Sequence, residues 1–121
     1  MNWRESLQSA LKTTSDLEAF FEWPIPHVPY SAFIPQDFAQ KIKDHGPDSA
    51  LAKQFLPSQA EGQHHLNETS FLDPIGDQQH LKTKQLIHRY SNRALFIPTS
   101  VCPIHCRYCF RKNELGAETI F

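Results

Sequence analysis

Thr99-Ser100-Val101-Cys102-Pro103-Ile104-His105-Cys106-Arg107-Tyr108-Cys109-Phe110-Arg111 holds all three cysteines of a 121-residue chain, spaced C-x3-C-x2-C. Three thiolates on one short loop suit a soft metal centre, and they fall one ligand short of a closed four-cysteine site. A closed site is structural or serves simple electron transfer, whereas an open iron can bind something else. Other readings weigh against this one. A disulfide would leave one cysteine over, and nothing else in the chain points to secretion. A Cys3His zinc site could recruit His105, but structural zinc sites usually pair two separated ligand knuckles. Inert buried cysteines sit poorly with the charged and polar neighbours, which point to a loop.

Just upstream, Ala94-Leu95-Phe96-Ile97-Pro98 is apolar on both faces. That pattern predicts a strand buried on both sides, as in a parallel sheet or barrel. The cysteine loop then follows the strand's C-terminal end, where barrels of alternating strands and helices carry their chemistry. The fold class expected is α/β, with a helical segment leading into a first strand.

Composition narrows the function classes. Twelve Lys+Arg against thirteen Asp+Glu leave no electrostatic footprint for nucleic acid or an anionic membrane. The start, Met1-Asn2-Trp3-Arg4-Glu5, lacks the apolar core of a signal peptide. No apolar run approaches the roughly 20 residues that span a bilayer. A cytoplasmic location is expected. Nine prolines set against four glycines keep the helices of the first hundred residues short, as suits a segment wrapped on something larger.

Taken in order, residues 1–23 predict two short helices. Trp3, Leu7 and Leu11 share the first stripe, and Leu17, Phe20 and Phe21 the second. Ser15 with Glu18 offers a capping box for a helix over 16–22. Pro24-Ile25-Pro26 ends it and starts an extended stretch. Residues 35–44 predict a helix with Phe38 and Ile42 inward, closed by His45-Gly46. Residues 48–55 predict another, burying Leu51 and Phe55. Residues 58–70 are polar and read as a loop with His64 and His65 in solvent. Asp73-Pro74-Ile75-Gly76-Asp77 has turn chemistry, residues 78–85 can start as a short helix, and Ser91-Asn92 forms a turn. Beyond Arg111, Asn113 or Glu114 can open a helix.

The cysteine spacing, with Tyr108 before the third cysteine, resembles the radical S-adenosylmethionine enzymes. His88-Arg89-Tyr90-x-x-Arg93-Ala94-Leu95-Phe96, the cysteine loop through Arg111, and Asp73-Pro74-Ile75-Gly76-Asp77 are similar to the lysine 2,3-aminomutase family. The resemblance implies a [4Fe-4S] cluster on Cys102, Cys106 and Cys109, with the fourth iron open to S-adenosylmethionine. It also implies pyridoxal phosphate, a radical (β/α) partial barrel, and interconversion of an α-amino acid with its β-amino isomer, L-lysine with β-lysine. On this basis residues 1–85 are the N-terminal helical wrapping segment. Residues 86–121 carry the first strand, the cluster loop and the start of the first helix of a truncated barrel, which should not turn over lysine alone.

Residue roles carry over by the same resemblance. Arg111 matches the family arginine that grips the substrate α-carboxylate, a task suited to a bidentate guanidinium. Arg89 and Arg93 match arginines of the pyridoxal phosphate region. An extended strand from Arg93 would set it on the order of 20 Å from Cys102, so a salt bridge at the strand entrance is the role its position suggests. Arg107 is expected to pair with an acid or face solvent. Lys112 matches no Schiff-base lysine of the family, and no catalytic side chain is assigned. Two departures matter. Leu81-Lys82-Thr83-Lys84-Gln85 replaces a proline- and glycine-containing segment, and Phe110 stands where lysine mutases proper have threonine. Phenylalanine there resembles the branch that modifies a lysine of translation elongation factor P, so that protein, or free glutamate, is an alternative substrate. A non-enzymatic iron–sulfur or zinc module is the alternative from another class. A homo-oligomer is possible for the complete enzyme.

Overall fold

A computed structural model describes residues 2–62 and 73–116. The chain divides into two compact units. One comprises Met1–His65 and Pro103–Tyr108, the other Leu66–Cys102 and Cys109–Phe121. His64 and His65 lie outside the described residues.

The first unit is helical. α1 spans Trp3–Gln8 and is closed at its start by a capping box between Asn2 and Glu5. Trp3 is exposed rather than inward, whereas Leu11 is buried and pairs with Ile34 through two backbone hydrogen bonds of 2.8 and 3.0 Å. α2 spans Thr14–Phe21, starting two residues before the expected boundary. Thr13 and Asp16, not Ser15 and Glu18, make its capping box. Thr13 Oγ1 accepts from the Asp16 N–H at 3.1 Å, and the Asp16 carboxylate accepts from the N–H groups of Thr13 and Lys12 at 2.9 and 3.1 Å. These backbone donors, that of Thr13 first, hold the Asp16 carboxyl below the usual carboxylate range.

α3 spans Gln36–His45 and ends on Gly46, whose φ of +86° an L side chain rarely adopts. Lys43 ties α3 to the end of α2, donating to the Phe20 carbonyl at 2.8 Å and to Glu22 at 2.7 Å. α4 spans Ala50–Phe55, capped by Ser49. α5, Gln59–Gly62, is a helical turn where polarity had suggested only loop. Leu17, Phe21, Ile25, Ile34, Ile42 and Phe55 are among the side chains of one apolar core, and Ile104 and Cys106 pack against it.

The second unit is a three-stranded antiparallel sheet in the order β1-β2-β3. A 3-10 turn, Gln78–His80, leads into β1, Leu81–Thr83. Gln85, at φ 68°, helps turn the chain into β2, Leu86–Tyr90, and Ser91-Asn92 turns it into β3, Arg93–Phe96. Residues 110–116 run through turns, and the helix expected from Asn113 or Glu114 does not form there.

β3 corrects the expectation for the apolar run. It was expected as the buried first strand of a parallel barrel; here it is an antiparallel edge strand, exposed at every position, with Phe96 64% accessible. The hairpin at Ser91-Asn92 forces the antiparallel pairing, and no described element covers the strand's faces. The chain is thus mixed helix and sheet. Among the described residues of this unit the fully buried ones are Ile87, Asp77 and Glu114. Two acids and one isoleucine make a small interior with little apolar area, and ion pairs to Asp77 help to hold it.

Candidate functional site

None of the three cysteines is in a disulfide, and each is half-buried. Their loop is divided between the units: Pro103–Tyr108 belongs with the helical unit, while Cys102 and Cys109 belong with the sheet unit. Among the described residues no three His, Cys, Asp or Glu side chains converge on a single ion position. A four-iron cluster does not demand such convergence, because each thiolate takes a different corner of the cube. Soft, partly shielded sulfur donors suit such a cluster chemically.

In the helical unit the loop is docked by its backbone and by Arg107. The His105 N–H donates to the Phe33 carbonyl at 3.0 Å, and the Arg107 N–H to the Gln54 carbonyl at 2.8 Å. Of the two expectations for Arg107, an acid or solvent, the first holds: its guanidinium pairs with Glu61, with Nε donating to Oε1 at 3.0 Å. It also donates to the carbonyls of Tyr30 and Ser31 at 3.0 and 3.3 Å and lies over the Tyr30 ring. The His105 ring stacks on Tyr30 at 6.0 Å with planes 6° apart. Burial, and then the Arg107 charge, push its imidazole below the ordinary value, so the ring is held neutral.

The sheet unit gathers the three arginines that the sequence singled out. Arg89, Arg93 and Arg111 line one pocket of about 360 Å³ with Ile75, Asp77 and Leu95. Asp77, with its side chain 4% accessible, accepts from Arg89 Nη2 at 3.1 Å and from Arg111 Nη2 at 2.9 Å. Arg89 donates as well to the Ile75 carbonyl. Arg93 makes no salt bridge among the described residues. Its guanidinium lies 4.0 Å from the Tyr90 ring centroid, a cation–π contact in place of the expected ion pair.

Three acids escaped the sequence reading. Glu61 sat in an apparently featureless polar run. Asp77 was read only as a turn residue, although two arginines follow it within reach of a folded-back sheet. Glu114 left no sequence signal, since its burial depends on turns that no local pattern announces. Its Oε2 is buried without a hydrogen-bond partner among the described residues.

Burial, and then the Asp73 charge, raise the Glu114 carboxyl above its ordinary value, with Arg111 opposing. The folded state therefore favours the protonated acid. Its stabilising contribution is full below the ordinary carboxylate range and is lost as pH rises through the raised folded value. Glu114→Gln should thus be more stable than the parent at pH 7, with the gap closing toward pH 4. Urea midpoints measured across that range check it, and a pH-independent gap would contradict it.

No family model matches the chain. Curated relatives do. The chain is 36% identical over 86 residues to the L-lysine 2,3-aminomutase of Escherichia coli strain K12, a match covering 70% of this chain and 24% of that protein. It is 32% identical over 83 residues to the L-lysine 2,3-aminomutase of Buchnera aphidicola, covering 69% and 24%. To that of Bacillus subtilis it is 26% identical over 112 residues, covering 93% and 23%. The chain spans about a quarter of the length of these relatives. Their shared name defines a class, the amino-group-shifting isomerases. Over the quarter of their length that it spans, the chain is similar to the lysine 2,3-aminomutases, consistent with a partial member of that family.

Proposed function

We propose that this chain is the N-terminal portion of a radical S-adenosylmethionine-dependent aminomutase that interconverts L-lysine and β-lysine by 2,3-amino migration. The observation that carries the proposal is the set of three cysteines at C-x3-C-x2-C in a chain similar to proteins of that name. Cys102, Cys106 and Cys109 would hold a [4Fe-4S] cluster and leave one iron for S-adenosylmethionine. When bound, that pair supplies the radical that takes hydrogen from the substrate. Arg111 would receive the substrate α-carboxylate, and Arg89 and Arg93 would lie toward pyridoxal phosphate. All three face one pocket, in keeping with binding of small anionic groups.

Residues 1–85 would form the helical wrapping segment and residues 86–121 the start of the barrel. β3 suits that role because it is an apolar strand at the sheet's edge, a template for a further strand. A cytoplasmic enzyme is proposed; none of the described helices is long and apolar enough to cross a membrane. Phe110 favours a second substrate by resemblance, a lysine of translation elongation factor P.

Anaerobic reconstitution with iron and sulfide tests the proposal. A cluster whose electron paramagnetic resonance spectrum changes on adding S-adenosylmethionine is expected. A spectrum indifferent to it, or a colourless zinc adduct, would overturn the enzyme reading in favour of a metal-binding module. Turnover of free lysine against the elongation factor by the full-length protein separates the two substrates.

A further inference from the structure

We propose that Asp77 is a positioning residue for Arg111: its buried carboxylate sets the plane in which the Arg111 guanidinium receives a substrate carboxylate. This rests on the aminomutase reading above and adds to it the group that aims the gripping arginine.

The Asp73–Asp77 turn is built to hold one carboxylate still. Asp73 Oδ1 accepts from the Asp77 N–H at 3.0 Å, and Oδ2 accepts from the Gln78 N–H at 2.9 Å. The Gly76 N–H closes back on the Asp73 carbonyl at 3.1 Å. Gly76 has φ +69°, a backbone conformation that L side chains rarely adopt, so glycine suits the turn. Asp77 is thus fixed through its backbone, and its two oxygens are divided between two arginines, Oδ1 for Arg89 and Oδ2 for Arg111. Arg89 is anchored again by the Ile75 carbonyl. Only Arg111 is left to be aimed.

Arg111 is held at one nitrogen and one face. Nη2 is on Asp77, and the Phe110 ring lies 4.7 Å from the guanidinium carbon. One anchored nitrogen and one covered face define the plane of a rigid guanidinium. Its side chain is 28% accessible, and it lines the pocket. Arg89, Arg93 and Arg111 line the pocket with Asp77 as the one carboxylate among its described lining residues, so the lining itself favours an anion. A guanidinium already oriented loses less freedom when a carboxylate docks, so the clamp raises affinity without touching the ligand.

The test compares full-length enzyme carrying Asp77→Asn, Arg111→Lys, and both. Asp77→Asn should raise the KM for lysine about tenfold with kcat within about threefold, the pattern of lost ground-state positioning. Asp77→Glu should recover part of that loss. The double variant should be no worse than Arg111→Lys alone, because Asp77 acts through Arg111. An unchanged KM in Asp77→Asn would overturn the proposal, as would a stability loss with no KM-against-kcat split, the mark of a merely structural ion pair, or a KM effect that persisted in full in the Arg111→Lys background. Should Asp77→Asn fail to fold, Asp77→Glu with Arg111→Lys completes the same cycle. A parent enzyme that turned over neither free lysine nor the elongation-factor lysine would overturn the aminomutase reading and this inference with it, and would be seen before any variant is made. In the 121-residue chain the Arg111 guanidinium proton signals should broaden in Asp77→Asn.

Discussion

Cys106→Ala should abolish uptake of a four-iron cluster while leaving the helical unit folded. Cys106 packs as a half-buried side chain against the apolar core around Leu17, Phe21 and Ile42. Replacing its sulfur by hydrogen removes one soft atom from the edge of that packing, a cost on the order of 1 kcal/mol. As a cluster ligand the same atom is one of three, and two thiolates do not retain a [4Fe-4S] core that three already leave open. The two roles therefore separate cleanly. Iron and sulfide content after anaerobic reconstitution should fall to background in Cys106→Ala, and equally in Cys102→Ala and Cys109→Ala. The urea midpoint of the metal-free protein should fall by no more than about 1 M, leaving a cooperative transition. If any one of the three substitutions kept full cluster content, the trio would not be the ligand set. If all three kept iron yet lost stability, the cysteines would be packing residues.

Legibility differed between the two units for a physical reason. The helical unit was largely readable because its elements follow local rules. Proline and glycine stop α3 and α4, and apolar spacing picks out Leu17, Phe21 and Ile42. What slipped was the choice between neighbouring caps, Thr13/Asp16 over Ser15/Glu18, which turns on hydrogen bonds that either pair could make. The sheet unit was misread because burial is not local. Ala94-Leu95-Phe96 has the composition of a doubly covered strand, and covering it takes elements that the described residues do not supply. Leu86–Tyr90 is the central strand, although no strand was expected ahead of the Ser91-Asn92 turn. The candidate site divides in the same way. The cysteines and arginines were legible as residue types at fixed spacing, and the arginines do face one pocket. Their acidic partners were not, because Asp77 lies 12 and 34 positions from its arginines and Glu61 lies 46 from Arg107.

Arg107→Ala should be the most destabilising change in the cysteine loop, and it should lower iron uptake without removing a ligand. The Arg107 side chain is 6% accessible and its partner Glu61 23%. Alanine would leave the Glu61 carboxylate unpaired and the Tyr30 and Ser31 carbonyls without their donor. It would also strip the cation–π contact from the Tyr30 ring at 4.6 Å. Removing one partner of a fully buried pair costs about 3–5 kcal/mol. Glu61 can turn partly to water, so about 2–4 kcal/mol is the expected loss here. Arg107→Lys should recover only part of it, because an ammonium cannot reach Glu61 and two diverging carbonyls in one geometry. The backbone bond from Arg107 to Gln54 and that from His105 to Phe33 hold the same loop, so the loss of protection should spread to them. Hydrogen exchange at residues 103–108 should accelerate in Arg107→Ala and stay near the parent in Cys106→Ala. Parent-like exchange in Arg107→Ala, with an unfolding midpoint also unmoved, would show that the loop is held by its backbone alone.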